Sequence, residues 1–428
     1  MSIPRRVPGG RTLTSLAVVV CLLAAAGAVA PPTAAADDVL VVDAAGGADY
    51  RSIDAAVAAA SNGDTVRVRP GTYRERVTVA TNVTLVAPRG ATLDGRSVSG
   101  DISGISLRND THRGAAITIH ERSAAAPVVD GFRVRGYLVG VDAGETTGDW
   151  TVRNTTVRNV TFGVHAFAAR GDWTVRNTTV RTVTHFEAVD ATGASGDWTL
   201  AGVTLRNVTR GVDASSTEGA WLVRDSTVAD VGLVAVDATG ASADWRLRNV
   251  TLRDTTVGLN AHATEGDWTV RNTTFQNLSR SDRYDFLMPP IPEGTAVYAR
   301  GTTGTWTVAD GRFVDVAGPA VVATGAVPGG TTTGNSFDGR ESAPSDACRG
   351  NVSCAAGVGS SSTSTGSSTA TSPRDESTDV TTTRSSNDDS QDEVTPGAQT
   401  GVRVPLSPVA AVGALLTVAA LLARRARR

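Results

Sequence analysis

The chain has 428 residues, with 40 Lys+Arg against 43 Asp+Glu and a formal net charge of −3. All 40 of those cations are arginine, and setting aside the seven at the two ends leaves 33 against 43 acids between them. That acidic balance argues against a nucleic-acid partner, because affinity for phosphates comes from neutralisation by Lys and Arg.

Residues 1–36 read as an export signal. Arg5, Arg6 and Arg11 precede an apolar stretch from Leu13 to Ala30, and Ala34-Ala35-Ala36 offers a small-residue cleavage site. Residues 37–356 form the folded domain. It opens with Val41-Val42-Asp43, then Asp49-Tyr50-Arg51-Ser52-Ile53, then Gly63-Asp64-Thr65-Val66-Arg67-Val68-Arg69-Pro70-Gly71-Thr72-Tyr73-Arg74-Glu75. Ser52 is placed to N-cap a short helix with Ile53 and Val57 on one face, which would cover the end of the first coil.

Internal repetition is the strongest signal. Tryptophan recurs at 150, 173, 198, 221, 245, 268 and 306, in steps of 23, 25, 23, 24, 23 and 38. Nine positions before each stands an aliphatic residue: Val141, Val164, Val189, Val212, Val236, Leu259 and Val297. Around Trp150 the parity is that of a strand, with Trp150 and Val152 on one face and Thr151 and Arg153 on the other. Three such short strands per unit bury little alone. Coiled and stacked at ~4.8 Å per coil, they form continuous parallel sheets with aliphatic columns inside. About eleven coils would make a rod of roughly 50 Å. Four residues after each Trp stand Asn154, Asn177, Gly202, Asp225, Asn249, Asn272 and Asp310, types that tolerate left-handed backbone. Their side chains are expected to form a buried coil-to-coil ladder.

Cys348 and Cys354 are expected to close a small disulfide loop. Residues 357–403 are Ser/Thr-rich with acidic patches, an expected disordered linker. Residues 404–423 carry no charge over about 20 residues, enough for a transmembrane helix. Residues 424–428, rich in arginine, form an expected cytoplasmic tail. The anchored domain would then face outside the cell. This organisation, with no lysine, resembles halophilic archaeal surface proteins.

The N-terminal segments and the repeat together resemble the pectin-lyase-like superfamily, with an opening similar to that of pectinesterases. The resemblance covers about residues 39–340. It implies an all-β fold: a right-handed three-sheet parallel β-helix with a short N-terminal capping helix. It carries over no catalytic residue. The Gln-Ala-Val, Asp-Phe-Ile-Phe-Gly and Gly-Arg-Pro-Trp stretches of pectinesterases are missing, as are the acidic patterns of pectate lyases and polygalacturonases.

One outward column nevertheless stands out: Asp142, His165, Asp190, Asp213, Asp237, Asn260 and Tyr298. Stacked carboxylates raise one another's pKa or recruit a cation; no cofactor is expected, and calcium enters only with an enzymatic reading of the column. The bland reading is a solvated acidic stripe. A second column, Asp149, Asp172, Asp197, Asp244 and Asp267, reads as surface charge balance against the arginines four positions on. The five histidines are scattered, and no metal centre is expected of them. The tryptophans read as core. Of ten Asn-x-Ser/Thr sequons, Asn109 and Asn351 are the expected glycosylation sites, while Asn154, Asn177, Asn249 and Asn272 should stay bare as buried amides.

The expected function is a monomeric, non-catalytic, membrane-anchored rod for envelope structure, adhesion or glycan binding. The alternative is a polysaccharide lyase, hydrolase or epimerase working at the Asp/His column. A copper-handling role, like that of the β-helix accessory proteins of nitrous oxide reductase, has the histidine scarcity against it.

Overall fold

The computed structural model describes residues 37–97, 114–120, 126–279, 291–325, 330–338 and 348–350. The expected signal, linker, membrane span and basic tail lie outside these residues, as do Asn109, Asn351 and Cys354. No helix among the described residues is long and apolar enough to cross a membrane. Cys348 opens the last strand, Cys348–Gly350.

The chain is a parallel β-solenoid. Three strands per coil feed three sheets, named here by their outward or inward marks. The Asp sheet contains Val139–Asp142, Phe162–His165 and Val234–Asp237. The Trp sheet contains Trp150–Arg153, Trp173–Arg176 and Trp198–Ala201. The Thr sheet contains Thr156–Val160, the first part of Thr179–Asp190, and Thr274–Leu278. Pairing is parallel and in register from coil to coil: Trp150 faces Trp173, Val157 faces Val180, and Val164 faces Val189.

Register follows from burial. A slip of one residue would turn every inward Val and Trp to solvent. Val152, Val157, Val164, Val189 and Val223 are all fully buried. The tryptophans are 1–3% exposed, as their parity with the valines requires. Their rings stack along the axis with centroids 4.7–5.1 Å apart.

Each corner between sheets is turned by one left-handed residue. The corner after the Trp sheet holds Asn154, Asn177, Gly202, Asp225, Asn249, Asn272 and Asp310 at φ of 48–63°. Two further corners follow the same rule. One carries Asn159, Thr182, Asn207, Asp230, Asp254 and Asn277; the other carries Glu145, Ala168, Gly193, Ser216, Gly240 and Ala263. The first corner corrects one expectation. Asn154, Asn177, Asn249 and Asn272 are exposed, not buried. Coil-to-coil amide bonds form where the previous corner offers a carboxylate: Asn154 Nδ2 donates to Asp130 Oδ1 and Asn249 Nδ2 to Asp225 Oδ1, both at 2.8 Å. Burial therefore gives no reason for these sequons to stay bare.

The N-terminal end is closed as its sequence requires. Helix Ile53–Ala59 starts at Ser52, whose Oγ accepts from Ala55 N at 3.2 Å. Glu75 binds the same helix end, accepting from Ile53 N at 2.9 Å and Asp54 N at 3.1 Å. Ile53 and Val57 are buried against the first strands. Glu75 in the Gly71–Glu75 segment is thus a structural anchor for the helix.

Candidate functional site

The Asp sheet brings the sequence-marked column into one line. Asp142 faces His165, His165 faces Asp190, Asp190 faces Asp213, Asp213 faces Asp237, and Asp237 faces Asn260. Tyr298 stands opposite Asn260. These side chains are outward by parity yet only 2–7% exposed. The expected solvated stripe is therefore a buried polar ladder.

Its carboxylates have partners. Asp190 Oδ1 accepts from Thr192 N at 3.0 Å. Asp213 Oδ1 accepts from Ser215 N at 3.0 Å and Ser215 Oγ at 2.6 Å. Asp237 Oδ1 accepts from Thr239 N, Thr239 Oγ1 and Asn260 Nδ2, at 3.1, 2.6 and 3.1 Å. Each Asp thus pins the turn two residues on, which is why Asp and Asn suit this position. His165 bridges its two neighbours, with Nδ1 3.0 Å from Asp142 Oδ1 and Nε2 3.4 Å from Asp190 Oδ2.

Beside the ladder, between Trp173 and Trp198, the regular coil breaks. Strand Thr179–Asp190 is 12 residues long, and its pairing shifts register between Val183 and Glu187. The two extra residues explain the 25-residue Trp step. They expose His185, lay Phe186 over Phe162 with centroids 4.5 Å apart, and bring Glu187 beside the ladder. Arg210, one coil on, lies 3.6 Å from Glu187 and 3.1 Å from Asp213.

This cluster is electrostatically tense. Burial pushes the Glu187 carboxyl up to about 8, helped by Asp190 and Asp213. Burial also raises Asp190 and Asp237, with Asp213 adding to both. For His165 burial acts downward, but the hydrogen bond to Asp142 and the charge of Asp190 outweigh it, so its pKa rises. Chemically, the cluster can hold protons that ordinary carboxylates release. It does not fit calcium, because the Arg210 guanidinium already supplies the positive charge between Glu187 and Asp213. No group of three or more His, Cys, Asp or Glu side chains suited to a metal occurs among the described residues.

The second acidic column has another role than charge balance. Asp149, Asp172 and Asp197 each accept, through Oδ1, the backbone N–H of the residue one coil on, at 2.8 Å. Asp244 and Asp267 do the same at 2.9 and 2.7 Å. Asp149, Asp172, Asp197 and Asp244, with Thr151, Thr174 and Thr199, line a shallow groove of about 600 Å³ along the rod. His165 lies in the ladder, His185 on the bulge, and His262 against the Arg300 carbonyl at 2.9 Å.

Glu187 and Arg210 both fall outside the marked columns of the repeat. The signal for both was the irregular step between Trp173 and Trp198.

No protein-family model matches the sequence, and no curated protein does either. Solved structures do. The crystal structure of pectate lyase Pel9A aligns at a TM-score of 0.52 and 13% identity, covering 73% of this chain and 82% of that one. The catalytic domain of a GH87 α-1,3-glucanase in complex with nigerose aligns at a TM-score of only 0.35 and 14% identity, over 72% of this chain and 71% of that one. With the coil geometry above, the first likeness shows the fold: a right-handed parallel β-helix similar to that of the pectate lyase.

Proposed function

We propose that this chain is a non-catalytic β-helix rod, exported and anchored at its C-terminal end, that binds glycans along its sides. One observation carries the reading. The column that would have to act on a substrate is buried, and its carboxylates hold turns of the fold. Catalysis also rarely needs the same group in every coil, whereas a ladder does.

The test is turnover. A panel of neutral and acidic polysaccharides, with and without calcium, is expected to give no reducing ends and no unsaturated products. Release of either would favour the lyase, hydrolase or epimerase reading. That second reading has its own support in the raised carboxyls of Glu187 and Asp190 beside His165, since perturbed acids gather at catalytic sites. Localisation is tested separately, by protease shaving of intact cells.

A further inference from the structure

We propose that the early Trp-bearing coils carry a docking strip for a sulfated glycan, a polymer with more than one anionic group per sugar. The proposal rests on the glycan-binding reading and names its ligand class. Arg135, Arg158, Arg181 and Arg206 stand in register on the Thr sheet. Arg153 and Arg176 stand in register on the Trp sheet, across the first corner. The outer members of these columns are neutralised: Arg135 by Asp94 and Arg153 by Asp130, each at 2.7 Å, and Arg206 by Asp230 at 3.2 Å. The guanidinium groups of Arg158, Arg176 and Arg181 have no acidic or hydrogen-bonding partner among the described residues. Arg176 and Arg181 are exposed and Arg158 is half-buried.

Like charges directly opposite each other destabilise a sheet. Farther along the rod the same columns avoid this. Arg224 pairs with Asp225 at 2.7 Å, Arg253 with Asp254, and Arg271 with Asp310 at 3.8 Å, while Arg248 faces the Asp225 charge. The difference lies at the left-handed corners. Beside the unpartnered arginines they are Asn154, Asn159, Asn177 and Thr182; farther on they include Asp225, Asp254 and Asp310. Asn and Asp both take this backbone conformation, so the fold does not choose between them. The choice of neutral corners leaves a basic strip on an acidic chain.

The strip fits one kind of partner. Arginine forks pair bidentately with planar and tetrahedral oxyanions. Coils repeat every ~4.8 Å, about the length of one sugar, and two arginine columns flank the corner. That density exceeds one charge per sugar, which favours a sulfated chain over a simple polyuronate.

The test measures affinity of the whole protein for dextran sulfate, polygalacturonate, neutral dextran and duplex DNA. Joint substitution of Arg158→Gln, Arg176→Gln and Arg181→Gln is expected to weaken dextran sulfate binding about tenfold or more. Removing equal charge by Arg224→Gln, Arg253→Gln and Arg271→Gln should change it less than about twofold, because those side chains are already paired. Asn159→Asp with Asn177→Asp should weaken binding like the first triple while leaving the fold intact by circular dichroism. Equal effects of the two triples, or none from either, would overturn the strip. Polygalacturonate or DNA bound as tightly as dextran sulfate would overturn the ligand class. Binding of neutral dextran without dextran sulfate would remove this proposal and leave the glycan-binding rod standing; binding of no glycan would remove both.

Discussion

Glu187 stands directly opposite Arg210 in register, with Oε1 3.6 Å from Nη1, in the middle of a buried line of acids. The pair exists because two extra residues break the coil before Glu187. Arg210, together with His165 when it is protonated, cannot balance Asp142, Glu187, Asp190, Asp213 and Asp237, so the cluster holds on to protons.

That imbalance predicts a pH dependence. Glu187 has a model-peptide value of 4.5 and is raised to about 8 in the fold, so across that window the folded state binds the extra proton. Stability must therefore fall as pH rises from about 5 to about 9. Raised Asp190, Asp237 and His165 act in the same direction. Thermal unfolding over that range is expected to give the higher midpoint on the acid side, and Glu187→Gln should flatten the slope. A midpoint that rises with pH would refute the assignment.

The Trp stack predicts a large and local cost. Trp198 lies 4.9 Å from both Trp173 and Trp221. Trp198→Ala should destabilise by ~3–5 kcal/mol, read as a lower denaturation midpoint.

The same stack contains a correctable flaw. Trp150 and Trp268 donate their indole N–H to Thr146 and Thr264, each at 3.1 Å. Trp173, Trp198 and Trp245 have Ala169, Ala194 and Ala241 at that offset, and their buried N–H groups find no partner among the described residues. Trp221 and Trp306 also lack one, so a threonine there is necessary but not sufficient. Ala241→Thr is expected to gain roughly 1 kcal/mol by supplying the acceptor, checked by chemical denaturation.

Corners predict a sharp chemical preference. Asn177 sits at φ 48° and is exposed. Asn177→Val should cost ~1–2 kcal/mol, because a β-branched side chain resists the left-handed region. Asn177→Gly should be close to neutral. Equal thermal midpoints for the two variants would show that the corner does not demand this conformation.

Much of this was legible in the sequence. The fixed nine-residue offset from Val141 to Trp150 set both the strand parity and the register, since only inward residues recur so strictly. The first corner was legible because Asn, Asp and Gly share one physical property. The third corner was not, because Glu145, Ala168 and Ser216 adopt the left-handed region without belonging to those types. Burial of Asp190 and Asp213 was also hidden. Period two says which face a residue takes, but not what covers that face. Arg210 pairs with Glu187 only through a bulge, and the periodic pattern carries no information about its geometry.

The Asp/His ladder is assigned here to the fold and not to a ligand. Joint replacement by Glu187→Gln and Asp190→Asn, followed by thermal unfolding near pH 8 and by glycan affinity on the same samples, tests it most directly. A higher unfolding midpoint is expected, because two acidic groups are removed from the ladder, with affinity unchanged. A loss of binding or of polysaccharide turnover at unchanged stability would contradict it.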